Sequence, residues 1–160
     1  MSIHSDRRYA FAASADEVWS ALTRVDQYAT WWPWLVQFDG TDFDVGSRWR
    51  CTVRAPLRYS VHFDIELLEV EPARRAAAEV AGDISGTATL TVIPVDRGGV
   101  DHGSELRLVS DLASSVGLVA TVDRFAPRLA KASHNWVLDT GLRQFRDRNG
   151  LGPRGDIGRR

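Results

Sequence analysis

A chain of 160 residues suits one domain, able to bury roughly 70% of its unfolded surface. Its formal net charge of -1 gives no compositional support for nucleic-acid binding, and the lone Cys51 excludes an internal disulfide or a cysteine metal cluster. His4, Asp6, Arg7 and Arg8 break up any apolar signal core, and no apolar run reaches bilayer length, so a soluble, cytoplasmic protein without stable membrane insertion is expected.

In chain order, Ile3, Ser5, Arg7, Tyr9 and Phe11 alternate with more polar neighbours, predicting a strand with one buried face. Ser14 and Glu17 stand in capping-box spacing ahead of a short helix that should bury Val18, Trp19 and Leu22. A second helical piece around Val25 to Tyr28 precedes Trp31-Trp32-Pro33-Trp34, where the proline drives Trp32 out of the helical region and turns the chain. Trp34, Val36 and Phe38 then alternate as a strand. In the next one Trp49, Cys51 and Val53 point one way, and Arg48, Arg50, Thr52 and Arg54 the other. The clearest strand places Tyr59, Val61, Phe63, Ile65 and Leu67 on one side, with Ser60, His62, Asp64 and Glu66 on its wet side. Arg75 to Ala81 reads as an alanine-rich strand, with a short helix as the competing reading. Thr87 to Val95 and Ser104 to Leu112 complete the set, and Ser114 to Asp123 reads as a loop.

Phe125 to Arg148 is the long helix, with Pro127 in its first turn and Asn149-Gly150 as its stop. Ala126, Ala130, Ser133, His134, Val137, Gly141 and Phe145 fall on one face; Arg128, Asn135, Asp139, Arg143 and Arg146 fall on the opposite one. The first face carries mostly small side chains and one imidazole. Small residues leave room between a helix and whatever covers it. An antiparallel sheet needs a cover for one face, and only this helix is long enough. The expected fold is therefore α+β of the helix-grip kind: a curved antiparallel sheet of about seven strands around a long C-terminal helix, with two short helices after the first strand. Residues 1–149 should form one domain and 150–160 a mobile tail.

Ser14 through Trp19, Trp31-Trp32-Pro33, Gly46, Tyr59 and Val70-Glu71-Pro72 together resemble the START-related lipid-transfer superfamily, in its bacterial polyketide cyclase/dehydrase-like branch. Gly82-Asp83-Ile84-Ser85-Gly86 is similar to that branch's Gly-Asp-Leu-x-Gly turn. His134-x-x-Val137-Leu138-x-x-Gly141 is similar to its His-x-x-Val-Met-x-x-Gly helix, with Leu138 for Met and Ser133 where Asn is frequent. The resemblance covers nearly the whole chain. It implies the helix-grip fold, and it leaves function open among carriers, cyclases and hydrolase-like enzymes.

The candidate ligand-binding residues are Trp34, Trp49, Tyr59, Val61, Phe63, Ala130, His134 and Val137. The tryptophans either stack on a flat ligand or fill the junction between short helices and sheet, with Trp34 the best candidate for the former. His134 can orient a ligand carbonyl or exchange a proton near neutrality, or it can be satisfied structurally by a strand. His134 and Tyr59 are the best catalytic candidates, with Ser110 behind them. No His or carboxylate pair has metal-ligand spacing, and no cofactor is implied. Three functions follow: a carrier or sensor for a hydrophobic small molecule, a cyclase/dehydratase-like enzyme using His134, or a protein-interaction module with a collapsed cavity and an arginine-rich outer face.

Overall fold

Two-residue alternation of apolar side chains builds a single sheet of seven antiparallel strands, ordered β1-β7-β6-β5-β4-β3-β2. The computed structural model describes residues 2–54, 60–97, 101–114 and 126–152; the side chains of 96, 97, 101, 102, 126–131 and 133 are outside this description. The strands are β1 (Ser2–Phe11), β2 (Leu35–Phe38), β3 (Arg48–Arg54), β4 (Ser60–Glu71), β5 (Arg75–Gly82), β6 (Ile84–Arg97) and β7 (Asp101–Ser114). The helices are α1 (Ala15–Leu22), α2 (Tyr28–Trp31) and α3 (Ala126–Arg148), with a 3-10 turn at Val25–Gln27 leading into α2. Alanines do not turn residues 75–82 into a helix, because both neighbouring strands pair with them along their length. The expected loop from Ser114 to Asp123 falls, beyond Ser114, on residues outside those described.

The sheet curls, and glycine permits part of that. Gly86 sits inside β6 at φ +148°, and a Cβ there would collide with the Asp111 carbonyl of β7. At the start of α1 the capping box forms as expected: Ser14 Oγ accepts from Glu17 N at 3.2 Å, and Glu17 Oε2 accepts from Ser14 N at 2.9 Å. Val18, Trp19, Ala21 and Leu22 are buried behind it. The far end of α3 is fixed by Phe145, which is fully buried and packs edge-on against Phe11 and Trp31. Leu151 is also buried, and its carbonyl accepts from Ala12 N at 3.0 Å, so the chain stays tied to the core just past α3.

One strand differs from expectation. Trp34, Val36 and Phe38 do not share a face, because a register shift lies between Leu35 and Gln37. It turns Leu35 and Phe38 inward and leaves Val36 45% exposed. Trp34 precedes the strand, although its carbonyl still accepts from Arg54 N at 2.8 Å.

Candidate functional site

Cross-strand register identifies the sheet face that looks at α3. Phe11, Leu67, Val80, Val92 and Leu106 are buried on it. In the same phase, Phe63, Ile65, Ala88, Leu90 and Leu108 are only half-buried. A closed core packs to the density of an organic crystal and covers such side chains. Phe63, Ile65, Leu90 and Leu108 pack against the core cluster and keep part of their apolar surface accessible.

The polar groups on this face gather at the β1–β7 side. Ser110 is buried on β7, and its Oγ lies 3.4 Å from His134 Nε2 on α3. Its cross-strand partner is Ser5, whose buried Oγ has no hydrogen-bond partner among the described residues. The next inward residue of β1 is Arg7, 3.8 Å from Asp139 Oδ2. Tyr9 follows, and its hydroxyl donates to Asp139 Oδ1 at 2.9 Å. Burial, with the positive Arg7 adding to it, holds the His134 imidazole below its ordinary value, so it is neutral at pH 7. Burial and the adjacent Asp139 carboxylate push the Tyr9 phenol up, so it stays a proton donor.

The candidates named from sequence separate into two groups. His134 and Val137 lie on the sheet-facing side of α3, and Phe63 is on the inner wall, with Val61 two residues before it on β4. Trp49 is buried among Tyr28, Phe38 and Phe43, and its Nε1 donates to Asp42 O at 2.8 Å; it is core. Trp34 stacks on Trp32 with ring centroids 5.6 Å apart and donates to Gln144 Oε1 at 2.9 Å. Tyr59 lies outside the described residues, and Ala130 lies in α3 with its side chain outside them. Cys51 is a buried small residue whose thiol burial pushes up to about 12. Asp83 closes a turn, accepting from His62 N at 2.9 Å.

Sequence reasoning missed Arg7, Ser5 and Asp139 as site residues. Asp139 was expected on the face away from the grip, about 140° round the helix from His134. The structure places α3 along β1, where the long side chains of Arg7 and Tyr9 reach its flank. The only signal available was the shared phase of Ser5 and Arg7 with Ile3 and Phe11.

A second feature lies across the sheet. An open depression of about 300 Å³ is bordered by Gln37, Arg50, Thr52, His62, Phe63, Asp64 and residues 81–83. Polar and apolar groups share its lining, and His62 Nδ1 is tied to Thr52 Oγ1 at 2.9 Å. Among the described residues no group of three His, Cys, Asp or Glu is placed to hold a metal ion, and no helix is long and apolar enough to cross a membrane.

The profile of the polyketide cyclase / dehydrase and lipid transport family matches residues 2–148. The chain belongs to that family. Among solved structures, the Zhui aromatase/cyclase from Streptomyces sp. R1128 superposes with a TM-score of 0.77 at 18% identity, covering 94% of each chain. A START superfamily protein from Mycobacterium smegmatis gives 0.70 at 14% identity, covering 92% of this chain and 97% of its own. Norcoclaurine synthase from Thalictrum flavum, in complex with dopamine and hydroxybenzaldehyde, gives 0.57 at 15% identity over 87% of this chain and 88% of that one. At these identities the likeness is one of fold, and it is the helix-grip fold expected from the sequence. A comparison with curated proteins finds no match. Family membership supports hydrophobic-ligand binding or cyclase activity in general.

Proposed function

We propose that this member of the family binds a hydrophobic small molecule, of the lipid, polyketide-like aromatic or isoprenoid kind, between the sheet and α3, as a carrier or sensor. The observation that carries the reading is the half-buried inner wall of Phe63, Ile65, Ala88, Leu90 and Leu108. A ligand would cover apolar surface that the protein leaves uncovered, at about 25 cal/mol per Å². Norcoclaurine synthase, with the same fold, takes dopamine and hydroxybenzaldehyde, molecules of a size this reading needs. The test is native mass spectrometry of the protein purified from its own source, followed by titration with an apolar fluorescent dye. An adduct of lipophilic mass and saturable dye binding are expected. Absence of both would refute the proposal.

A second reading has one observation behind it. His134 is neutral, lies beside the buried Ser110, and can therefore accept a proton from a bound substrate at pH 7. In that case the protein is a cyclase/dehydratase-like enzyme, with positioning by the cavity supplying much of the rate. His134→Gln retains hydrogen bonding without titration near neutrality, whereas His134→Leu loses both. A carrier keeps its affinity with Gln and loses it with Leu. An enzyme loses turnover about a hundredfold or more with either. The third function, a protein-interaction module, has less behind it: Arg48 pairs with Glu66 at 3.3 Å and Arg50 with Asp64 at 3.7 Å across the outer face.

A further inference from the structure

Among the described residues the inner wall is apolar from β3 to β6 and polar where β1 and β7 face α3, and that polar strip is short of partners. Ser5 Oγ is buried and has no partner among the described residues. A buried hydroxyl in that state costs free energy. Ser104 on β7 is in the same state opposite Phe11, and what sets Ser5 apart is that a guanidinium and the Ser110–His134 pair lie beside it. Arg7 follows two residues on along the same face, roughly 7 Å away. Its side chain is 35% exposed, it donates no hydrogen bond among the described residues, and its nearest carboxylate is Asp139 at 3.8 Å. That carboxylate is 50% exposed and already accepts from Tyr9. Asp139 therefore satisfies the guanidinium only in part. Ser110 and His134 complete the strip from the other side. On this inward face of β1 the charge next to Ser5 is the Arg7 guanidinium, while Asp6 points to the other face and pairs with Arg107.

We infer that the bound molecule carries an oxyanion, a carboxylate or ionised phenol, seated between Ser5, Arg7, Ser110 and His134, with its apolar body directed along the strand order toward Leu90, Ile65 and Phe63. This rests on the binding reading above and adds the ligand's charge and direction. An oxyanion supplies what each group lacks: an acceptor for the Ser5 hydroxyl and a charge-assisted partner for Arg7. A neutral apolar ligand would leave both as they are. A cation would meet Arg7 as a like charge.

Two matched pairs test this by isothermal titration calorimetry: decanoate against methyl decanoate for a lipid-like body, and 3-hydroxy-2-naphthoate against its methyl ester for a polyketide-like one. In at least one pair the acid should bind about tenfold or more tighter than the ester. Arg7→Met should abolish that preference, bringing acid affinity down to that of the ester. Ser5→Ala should weaken acid binding by about threefold or more, yet leave the melting temperature of the free protein equal or higher, because an unpaired hydroxyl has been removed. A residue that merely packs would not raise one and lower the other. Should Arg7→Met fail to fold, as judged by circular dichroism, Ser5→Ala carries the test. Equal affinity for acid and ester overturns the oxyanion while leaving the hydrophobic site intact. Binding of neither member of either pair overturns both. A preference that survives both substitutions overturns this placement.

Discussion

At the α2 end of the grip, tryptophans that look like ligand platforms have their polar atoms engaged by the protein. Trp32 donates to Gly141 O at 2.8 Å, Trp34 to Gln144 Oε1 at 2.9 Å and Trp49 to Asp42 O at 2.8 Å. On β1, the side chains of Ser5 and Arg7 face the same interior with no side-chain hydrogen bond among the described residues. The indole donors at the first end are used, whereas Ser5 Oγ at the second is not; Ser104 Oγ, opposite Phe11, and Arg146 Nε are likewise buried without a hydrogen-bond partner among the described residues. Residue type alone gives the opposite ranking, since aromatics look like binding residues and a strand serine does not. Whether a side chain's hydrogen-bonding capacity is already used separates packing from recognition more sharply than its chemical class does.

The largest expected contrast is between two phenylalanines. Phe145 is fully buried, so Phe145→Ala should cost about 3–5 kcal/mol in urea unfolding with little specific effect on ligand. Phe63 is half-buried on the wall, so Phe63→Ala should cost less than that and weaken dye binding more. A core-sized loss at Phe63 without a change in affinity would move it out of the site. Next comes Gly141, where a Cβ would already lie 3.1 Å from Trp34 Cζ2. Gly141→Leu should displace the indole pair at a cost of about 1–3 kcal/mol, visible in tryptophan fluorescence. If the tryptophan end is only packing, oxyanion preference should survive that change.

Asp139→Asn sharpens the other end. The amide oxygen can still accept from Tyr9, while the negative charge beside Arg7 disappears. Stability should move by less than about 1 kcal/mol, as expected for a half-exposed pair, and decanoate affinity should rise. Unchanged decanoate affinity would mean that Asp139 does not limit the field at Arg7.

The smallest effect is on pH dependence. His134 is held below its ordinary value of 6.5 when folded, facing Arg7 from β1 and Ser110 from β7, with Asp139 further along its own helix. The unfolded chain thus takes up the proton first as pH falls, and stability is lost below about 6.5, with no contribution above it. His134→Leu should flatten that part of the stability profile. A profile identical to wild type between pH 5 and about 6.5 would mean the imidazole titrates freely in the fold.

Much of the architecture was legible because it rests on periodicity. The alternation in Tyr59 to Leu67, the Ser14–Glu17 cap and the proline after Trp32 each act locally, and each appears where expected within the described residues. The shift at Val36 was not legible, since one extra residue in a strand leaves no mark in composition. Nor was Asp139 as a partner of Arg7. A helical projection gives angles about an axis, but not which strand lies beside each flank. The charge pairing of Arg48 with Glu66 and Arg50 with Asp64 follows directly once register is known. The unpaired state of Ser5 needed the whole fold, because an absent partner is a property of every neighbour at once.

Ala88 is the residue whose enlargement shows whether the wall is open or already packed. It faces α3 beside Ser110, pairs with Ala78 on the next strand, and is half-buried in the middle of the wall. Ala88→Trp should place an indole in the ligand's space. The account predicts unfolding free energy within about 1 kcal/mol of wild type together with loss of apolar dye binding. A destabilisation of about 1–3 kcal/mol, or dye binding undiminished in a folded variant, would show that the wall is already packed and that no ligand lies against it.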